Sequence, residues 1–198
     1  MLSKKLIIDF IKYCDHYGWY FDNHSSEFTF QFRFGWFLNS ISSNQYLIDF
    51  ETNVKKKFEI RDTCKTELDI YVYDKMHNTN NGIEIKYIKD KMGYDISLYK
   101  MCEDIKFLEE LQATNIFTTT YSVAFTSIQN SFTPPKNGKY KASGERLEFY
   151  RNFRERHFIP KAIYRNNKQQ LTLRNEYKIE WIDFNESIKV CLIEVVKS

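Results

Sequence analysis

Four side chains in one short stretch carry the chemistry of this chain: Glu67, Asp69, Glu84 and Lys86, within TELDIYVYDKMHNTNNGIEIKYIK, residues 66 to 89. Carboxylates gathered at short range repel one another and raise one another's pKa unless a cation relieves them. A divalent metal is the usual relief. Two acidic oxygens, a main-chain carbonyl between them and several waters suit a hard octahedral ion, which selects magnesium, with manganese as a substitute. Asp69 and Glu84 are the candidate ligands, together with the carbonyl of Ile85. Lys86 beside them has three candidate tasks: orienting an attacking water, helping to deprotonate it if its own pKa is lowered, or stabilising charge that develops on a phosphate.

These residues meet only if the surrounding elements bring them together. Leu68, Ile70 and Val72 alternate with Glu67, Asp69 and Tyr71, and Ile83, Ile85 and Tyr87 alternate with Glu84, Lys86 and Ile88. That is the period of two strands, each with one apolar face. An antiparallel hairpin closed around Met76 and His77 sets Asp69 opposite Glu84 and Glu67 opposite Lys86, all on one side. The competing reading is a solvated sheet face, a frequent fate of charges on antiparallel strands.

Asp69, fourteen intervening residues, then Glu84-Ile85-Lys86 resembles the D…ExK signature of the PD-(D/E)XK nuclease superfamily, with Leu68 where the name-giving proline would stand. The resemblance implies a restriction-endonuclease-like α-β-β-β-α-β core and a magnesium-dependent phosphodiesterase. It makes Asp69, Glu84 and Lys86 catalytic, and DNA ahead of RNA the substrate. It also implies an acidic residue from the first core helix, where Glu27 stands with Gln31 one turn later; the plain alternative is a glutamate interacting with the helix dipole. Glu51 and Glu67 are further candidates for an auxiliary shell. A restriction or host-defence role follows by analogy alone. The rival class is a non-catalytic nucleic-acid-binding or protein-interaction domain that keeps the fold.

The remaining pattern predicts an α/β domain with a mixed central sheet flanked by helices. Leu6, Ile7, Phe10, Ile11 and Cys14 mark a packing helix over residues 3–17. Ser25-Ser26 cap a second helix with Phe28, Phe32, Trp36 and Leu38 as its apolar positions, although TFQFRF also alternates as a strand would. Tyr46 to Val54 reads as the first strand. After Gly93 comes a helix with Ile96, Tyr99, Cys102, Ile105 or Leu108, and Leu111 as its buried stripe, and then YSVAFTSI as an interior strand. Residues 130–144 form a loop, ERLEFYRNFRERHFIP a helix stopped before Pro160, and EYKIEWIDF and IKVCLIEVV a closing hairpin. His157 reads as a surface or helix-end residue. The 198 residues make one nuclease-like domain, with a core over about 25–129 and a basic loop, helix and terminal hairpin over 130–198.

Charge is unevenly spread. Residues 136–168 hold ten Lys or Arg against three Glu, a net +7, and the rest of the chain holds nineteen basic and twenty-three acidic residues, a net −4. A basic segment apart from an acidic site suits a polyanion held while one phosphate reaches the metal. Lys139, Lys141, Arg146, Arg151 and Arg154 are its candidate phosphate contacts, against a merely solvated basic helix. Arg154 and Arg156 cannot share one helical face, so at least one of them is expected to be a structural ion-pair partner. Cys14, Cys64, Cys102 and Cys191 lie far apart, without CxxC pairs or zinc-finger spacing, and read as reduced thiols. The apolar run near the start is broken by Asp9 and Lys12, unlike a signal peptide, and no stretch matches a membrane span. The expectation is a cytoplasmic protein with nucleic acid as partner, compatible with a homodimer.

Overall fold

The structure, a computed structural model, describes residues 2–19, 26–42, 44–88, 94–135, 138–140, 142–166, 169–185 and 188–197. Two helices open the chain, α1 (Lys4–His16) and α2 (Glu27–Ile41), followed by β1 (Tyr46–Asn53), a single turn α3 (Val54–Lys57), β2 (Glu67–Asp74) and β3 (Thr79–Tyr87). Then come α4 (Tyr94–Ala113), β4 (Phe117–Thr126) and α5 (Gly144–Arg154). The chain ends in short strands: β5 (Phe158–Ile159), β6 (Ala162–Asn166), β7 (Gln169–Thr172), β8 (Tyr177–Lys178), β9 (Trp181–Asp183) and β10 (Lys189–Val195).

Six strands form one mixed sheet in the order β1-β2-β3-β4-β10-β9. Its pairs are antiparallel except β3 with β4. A parallel pair needs a crossover, and α4 supplies it. Helices α1 and α2 cover one face of the sheet, where Phe10, Phe30, Phe34 and Leu38 pack with Ile70, Val72, Ile83, Ile85 and Phe125. Phe30 stacks on Phe125 at 5.4 Å, and Phe125 on Tyr87 at 4.6 Å. Truncating such a ring to alanine costs about 3–5 kcal/mol. Both helices start on serines: Ser3 accepts from the Leu6 N–H, and Ser26 forms a reciprocal capping box with Thr29.

Helix α4 covers the other face and is itself covered. Leu98, Met101, Cys102, Ile105, Phe107, Leu108 and Leu111 are all buried, in one cluster with Phe149, Phe153, Ile159 and Ile163 from the C-terminal third. The buried Glu109 carboxylate fastens that third to α4. It accepts from the backbone N–H groups of Arg174 (2.8 Å) and Asn175 (2.9 Å) and from the Tyr177 hydroxyl (2.7 Å). Among the described residues no helix is long and apolar enough to cross a membrane.

Three sequence expectations change. Helix α2 forms, but Phe28, Phe32 and Trp36 are 64%, 57% and 57% exposed, while Phe30, Phe34, Phe37 and Leu38 are buried. An apolar set that runs nearly round the helix cannot choose its face by hydrophobicity alone; Gly35 does. A Cβ there would lie 2.7 Å from the Phe50 ring, so the glycine marks where α2 lies on β1. Ile96 is exposed at the first turn of α4. Helix α5 ends at Arg154, and Phe158–Ile159 pair instead with Tyr177–Lys178. The ribbon β6–β7, which closes at the pair Asn166–Gln169, is an element the sequence reading did not include. The closing hairpin forms as β9–β10 at the sheet edge.

Candidate functional site

The β2–β3 ladder runs from Asp74–Thr79 to Ile70–Ile83. Its register centres the turn on Met76 and His77 and carries Asp69 opposite Glu84. The turn is shaped by Asp74, whose buried carboxylate accepts the Met76 N–H at 3.0 Å and lies 2.7 Å from His77 Nδ1. Past Ile70–Ile83 a side chain takes over from the ladder. Asp69 Oδ2 accepts the Ile85 N–H at 2.6 Å, and the Asp69 N–H points at Glu84 Oε1 at 3.4 Å. A strand residue presents its N–H and C=O to the same neighbour. The Ile85 carbonyl therefore faces the gap in which Asp69 lies.

Two helices from opposite faces bring further charges to this gap. Glu84, 1% exposed, is bound by Lys65, whose ammonium also reaches Asp104 Oδ1 of α4 at 2.7 Å. Lys86 lies 3.2 Å from Glu27 Oε1 at the start of α2 and 3.6 Å from Asp104 Oδ2. Glu27 Oε1 also accepts the Tyr87 N–H at 3.0 Å, which ties α2 to the end of β3. The result is a chain of alternating charge: Glu84, Lys65, Asp104, Lys86, Glu27.

Burial, then the neighbouring Asp69 and Asp104, push Glu84 well above the usual carboxylate range despite Lys65. Burial likewise pushes Asp69 up to about 6, against the opposing pull of the Ile85 N–H and of Lys65. Burial alone would lower both lysines, but carboxylates outweigh it: Glu84 and Asp104 hold Lys65 above its ordinary value, and Asp104 and Glu27 do the same for Lys86. Lys86 is thus a protonated donor at neutral pH. Of its three candidate tasks, deprotonating a water does not fit.

Asp69, Glu84, Ile85 and Lys86 come together, and Glu27 reaches the group through Lys86 and the Tyr87 N–H. Glu67 does not: it is exposed opposite Asn53, and the Lys86 ammonium it was expected to face is turned to Glu27 and Asp104. The pairs Phe50–Ile70 and Thr52–Leu68 put Glu51 across from Asp69, as a meander requires, but its backbone has φ +48° and its carboxylate is taken by Gln31 Nε2 at 2.8 Å. Among the described residues, no three or more His, Cys, Asp or Glu side chains converge closely enough to hold a metal ion. Sequence reasoning missed Lys65 and Asp104. Lys65 sits in an aperiodic segment and leaves no signal. Asp104 does leave one, because it shares a helical face with Met101, Leu108 and Leu111, all buried.

The basic segment is dispersed. Lys139, Arg146 and Arg151 are exposed, Arg146 with its Nε 3.1 Å from the Tyr150 hydroxyl. Lys141 lies outside the described residues. Arg154 departs from its expected role: it is buried, with its guanidinium 5.0 Å from the Tyr150 ring and 5.5 Å from that of Tyr140, so no phosphate can reach it. Arg156 is the ion-pair partner, 2.6 Å from Glu148. His157 serves structure, its carbonyl accepting the Ile179 N–H at 2.7 Å. A half-open cleft of about 540 Å³ adjoins the charge chain, lined by Lys65, Lys86, Lys100, Lys106, Asp104 and Gln170 among others. No protein-family model matches the chain, and neither a curated protein nor a solved structure is detectably similar to it.

Proposed function

We propose that the protein is a metal-dependent nuclease of the restriction-endonuclease-like, PD-(D/E)XK kind, hydrolysing phosphodiester bonds in nucleic acid, DNA ahead of RNA. The order α2, β1, β2, β3, α4, β4, with β3 and β4 parallel, supports that assignment. One observation carries the reading: where the β2–β3 ladder ends, Asp69, Glu84 and the Ile85 backbone meet, and both carboxyls are held above their ordinary pKa.

The donors fit a hard dication, being all oxygen, crowded and under-compensated. Asp104 Oδ2 is buried without a hydrogen bond and has only the Lys86 ammonium, 3.6 Å away, opposite it. Asp69, Glu84 and the Ile85 carbonyl would hold magnesium or manganese, which supplies Lewis acidity and an acidified water when bound. Lys86, held protonated by Asp104 and Glu27, donates to the attacking water or to a phosphate oxygen and opposes the charge that builds there. Glu27 and Asp104 fix its direction from two sides.

Incubating the protein with plasmid, single-stranded DNA and RNA, each with magnesium, manganese or EDTA, tests the reading. Metal-dependent cleavage that Asp69→Asn abolishes is the expected result. No cleavage of any substrate with either metal, or equal cleavage by Asp69→Asn, overturns it. The exposed row Phe28, Phe32 and Trp36 favours a second reading, an interaction domain that retains the fold. Under that reading Asp69→Asn is silent and the loss follows Phe32→Ser with Trp36→Ser.

A further inference from the structure

Lys65 is the one charge of the site to which the catalytic reading gives no task, and it occupies the carboxylate that the reading most needs. Its ammonium bridges Glu84 and Asp104. We infer that Lys65 is a resident counter-ion: it holds Glu84 and Asp104 together while the site carries no metal, leaves them when a divalent cation binds, and turns into the cleft beside Lys100 and Lys106 to complete an anion site for a substrate phosphate. The inference rests on the metal-dependent reading above.

Three observations carry it. Lys65 holds Glu84 Oε2 while Oε1 faces the Asp69 N–H, so Glu84 can turn both oxygens to a cation only when the ammonium leaves, and a dication placed near that ammonium repels it. Lys65 is the freer of two lysines that both border the cleft. Its side chain is 32% exposed and comes from a segment outside the sheet, while that of Lys86 is 17% exposed, is fixed to β3 and is held by Glu27 and Asp104 together. The flexible four-carbon stem of a lysine permits such a move, and the incoming dication compensates the carboxylate it leaves. Lastly, Asp104 is built for the exchange. Its Oδ1 serves Lys65 at 2.7 Å, while its Oδ2, with no hydrogen bond of its own, faces Lys86 at 3.6 Å. When Lys65 leaves, Asp104 passes to Lys86 and no buried charge is stranded. Lys65 is therefore a positioning group before metal binding and an anion contact after it.

The test uses the parent protein and an amine-acylating reagent, with the modification of each lysine followed by peptide mass spectrometry at fixed ionic strength. In EDTA, Lys65 should react slowly. In saturating magnesium it should react several-fold faster, with Lys100 and Lys106 unchanged. Inorganic phosphate should then protect Lys65, Lys100 and Lys106 together in magnesium, and only the last two in EDTA. A Lys65 rate that is unchanged or lower in magnesium, or no phosphate protection there, overturns the inference. Calorimetry with Lys65→Met gives an independent arm: removal of the competing ammonium should tighten magnesium binding by about tenfold. Binding that is equal or weaker counts against the inference, with the metal reading left standing. No magnesium binding by either protein removes the metal reading itself, and the inference with it.

Discussion

The β2–β3 hairpin and the segment 136–168 both stand out in the sequence by charge, and the fold treats them in opposite ways. In the hairpin, residues far apart in sequence are drawn onto one gap: Asp69 and Glu84 come from adjacent strands, Glu27 from α2, Asp104 from α4 and Lys65 from the segment before β2. In the basic segment, neighbours in sequence are pulled apart. Arg154 goes inward beside two tyrosines, Arg156 to Glu148, and Lys139, Arg146 and Arg151 remain outside. Alternation on strands fixes where side chains lie relative to one another, because register leaves little choice. Net charge fixes nothing of the kind. The cations nearest the site, Lys65, Lys86, Lys100 and Lys106, come from the part of the chain with a net negative charge.

The sharpest break of this comparison is catalytic. Glu84→Ala should lower cleavage by on the order of a thousandfold, measured on plasmid in magnesium, while Arg154→Leu should leave the rate per folded molecule unchanged. If Arg154→Leu abolishes cleavage in protein that melts like the parent, the two regions share one function after all.

Next in size is a pH effect. Asp69 titrates in the folded protein at about 6, above its value in the unfolded chain. The folded state then binds the extra proton between about pH 4 and 6, so the Asp69 contribution to stability falls as pH rises through that window, and Glu84, whose carboxyl is also held up, adds a fall of the same sign. The Asp69 part is at most about 3 kcal/mol, less with solvent screening. Asp69→Asn, which can still accept the Ile85 N–H, should flatten the profile there. Urea unfolding at a series of pH values in EDTA checks this; an unaltered slope in the variant would place the titration elsewhere.

Smaller still is the cost of a buried cation. Arg154→Leu should destabilise the fold by about 1–2 kcal/mol through the lost ring contacts and leave the salt dependence of DNA binding alone. Smallest is the surface pair. Lys139→Ala with Arg151→Ala should reduce the slope of log affinity against log salt by at most about 1.8 on duplex DNA. If the slope is unchanged, the polyanion is held by the cleft lysines.

How much of this was legible follows from the same contrast. The hairpin turn at Met76 and His77 and the pairing of Asp69 with Glu84 were readable because two alternating strands admit few registers. Helix α2 was readable as a helix but not as an oriented one, since six of its aromatic residues, Phe28, Phe30, Phe32, Phe34, Trp36 and Phe37, surround the axis; Gly35 held the answer as a contact with Phe50. Lys65 and Asp104 were out of reach as a pair. They are 39 residues apart, one in an irregular segment, and they meet only because α4 crosses the sheet to place β4 beside β3. Arg154 misled for the opposite reason: its neighbours in sequence are basic, but its neighbours in space are Tyr140 and Tyr150.

Thermal melts of the parent and of Asp69→Asn, in EDTA and in magnesium at constant ionic strength, address the central claim without need of a substrate. Without metal the variant should equal or slightly exceed the parent, because one of two crowded charges is gone. Magnesium at about a hundred times its dissociation constant should raise the stability of the parent by roughly 2.7 kcal/mol and that of the variant much less, so that the order of the two melting temperatures reverses. A parent that does not respond to magnesium, with a variant that is less stable in EDTA, would contradict the metal site at Asp69 and Glu84.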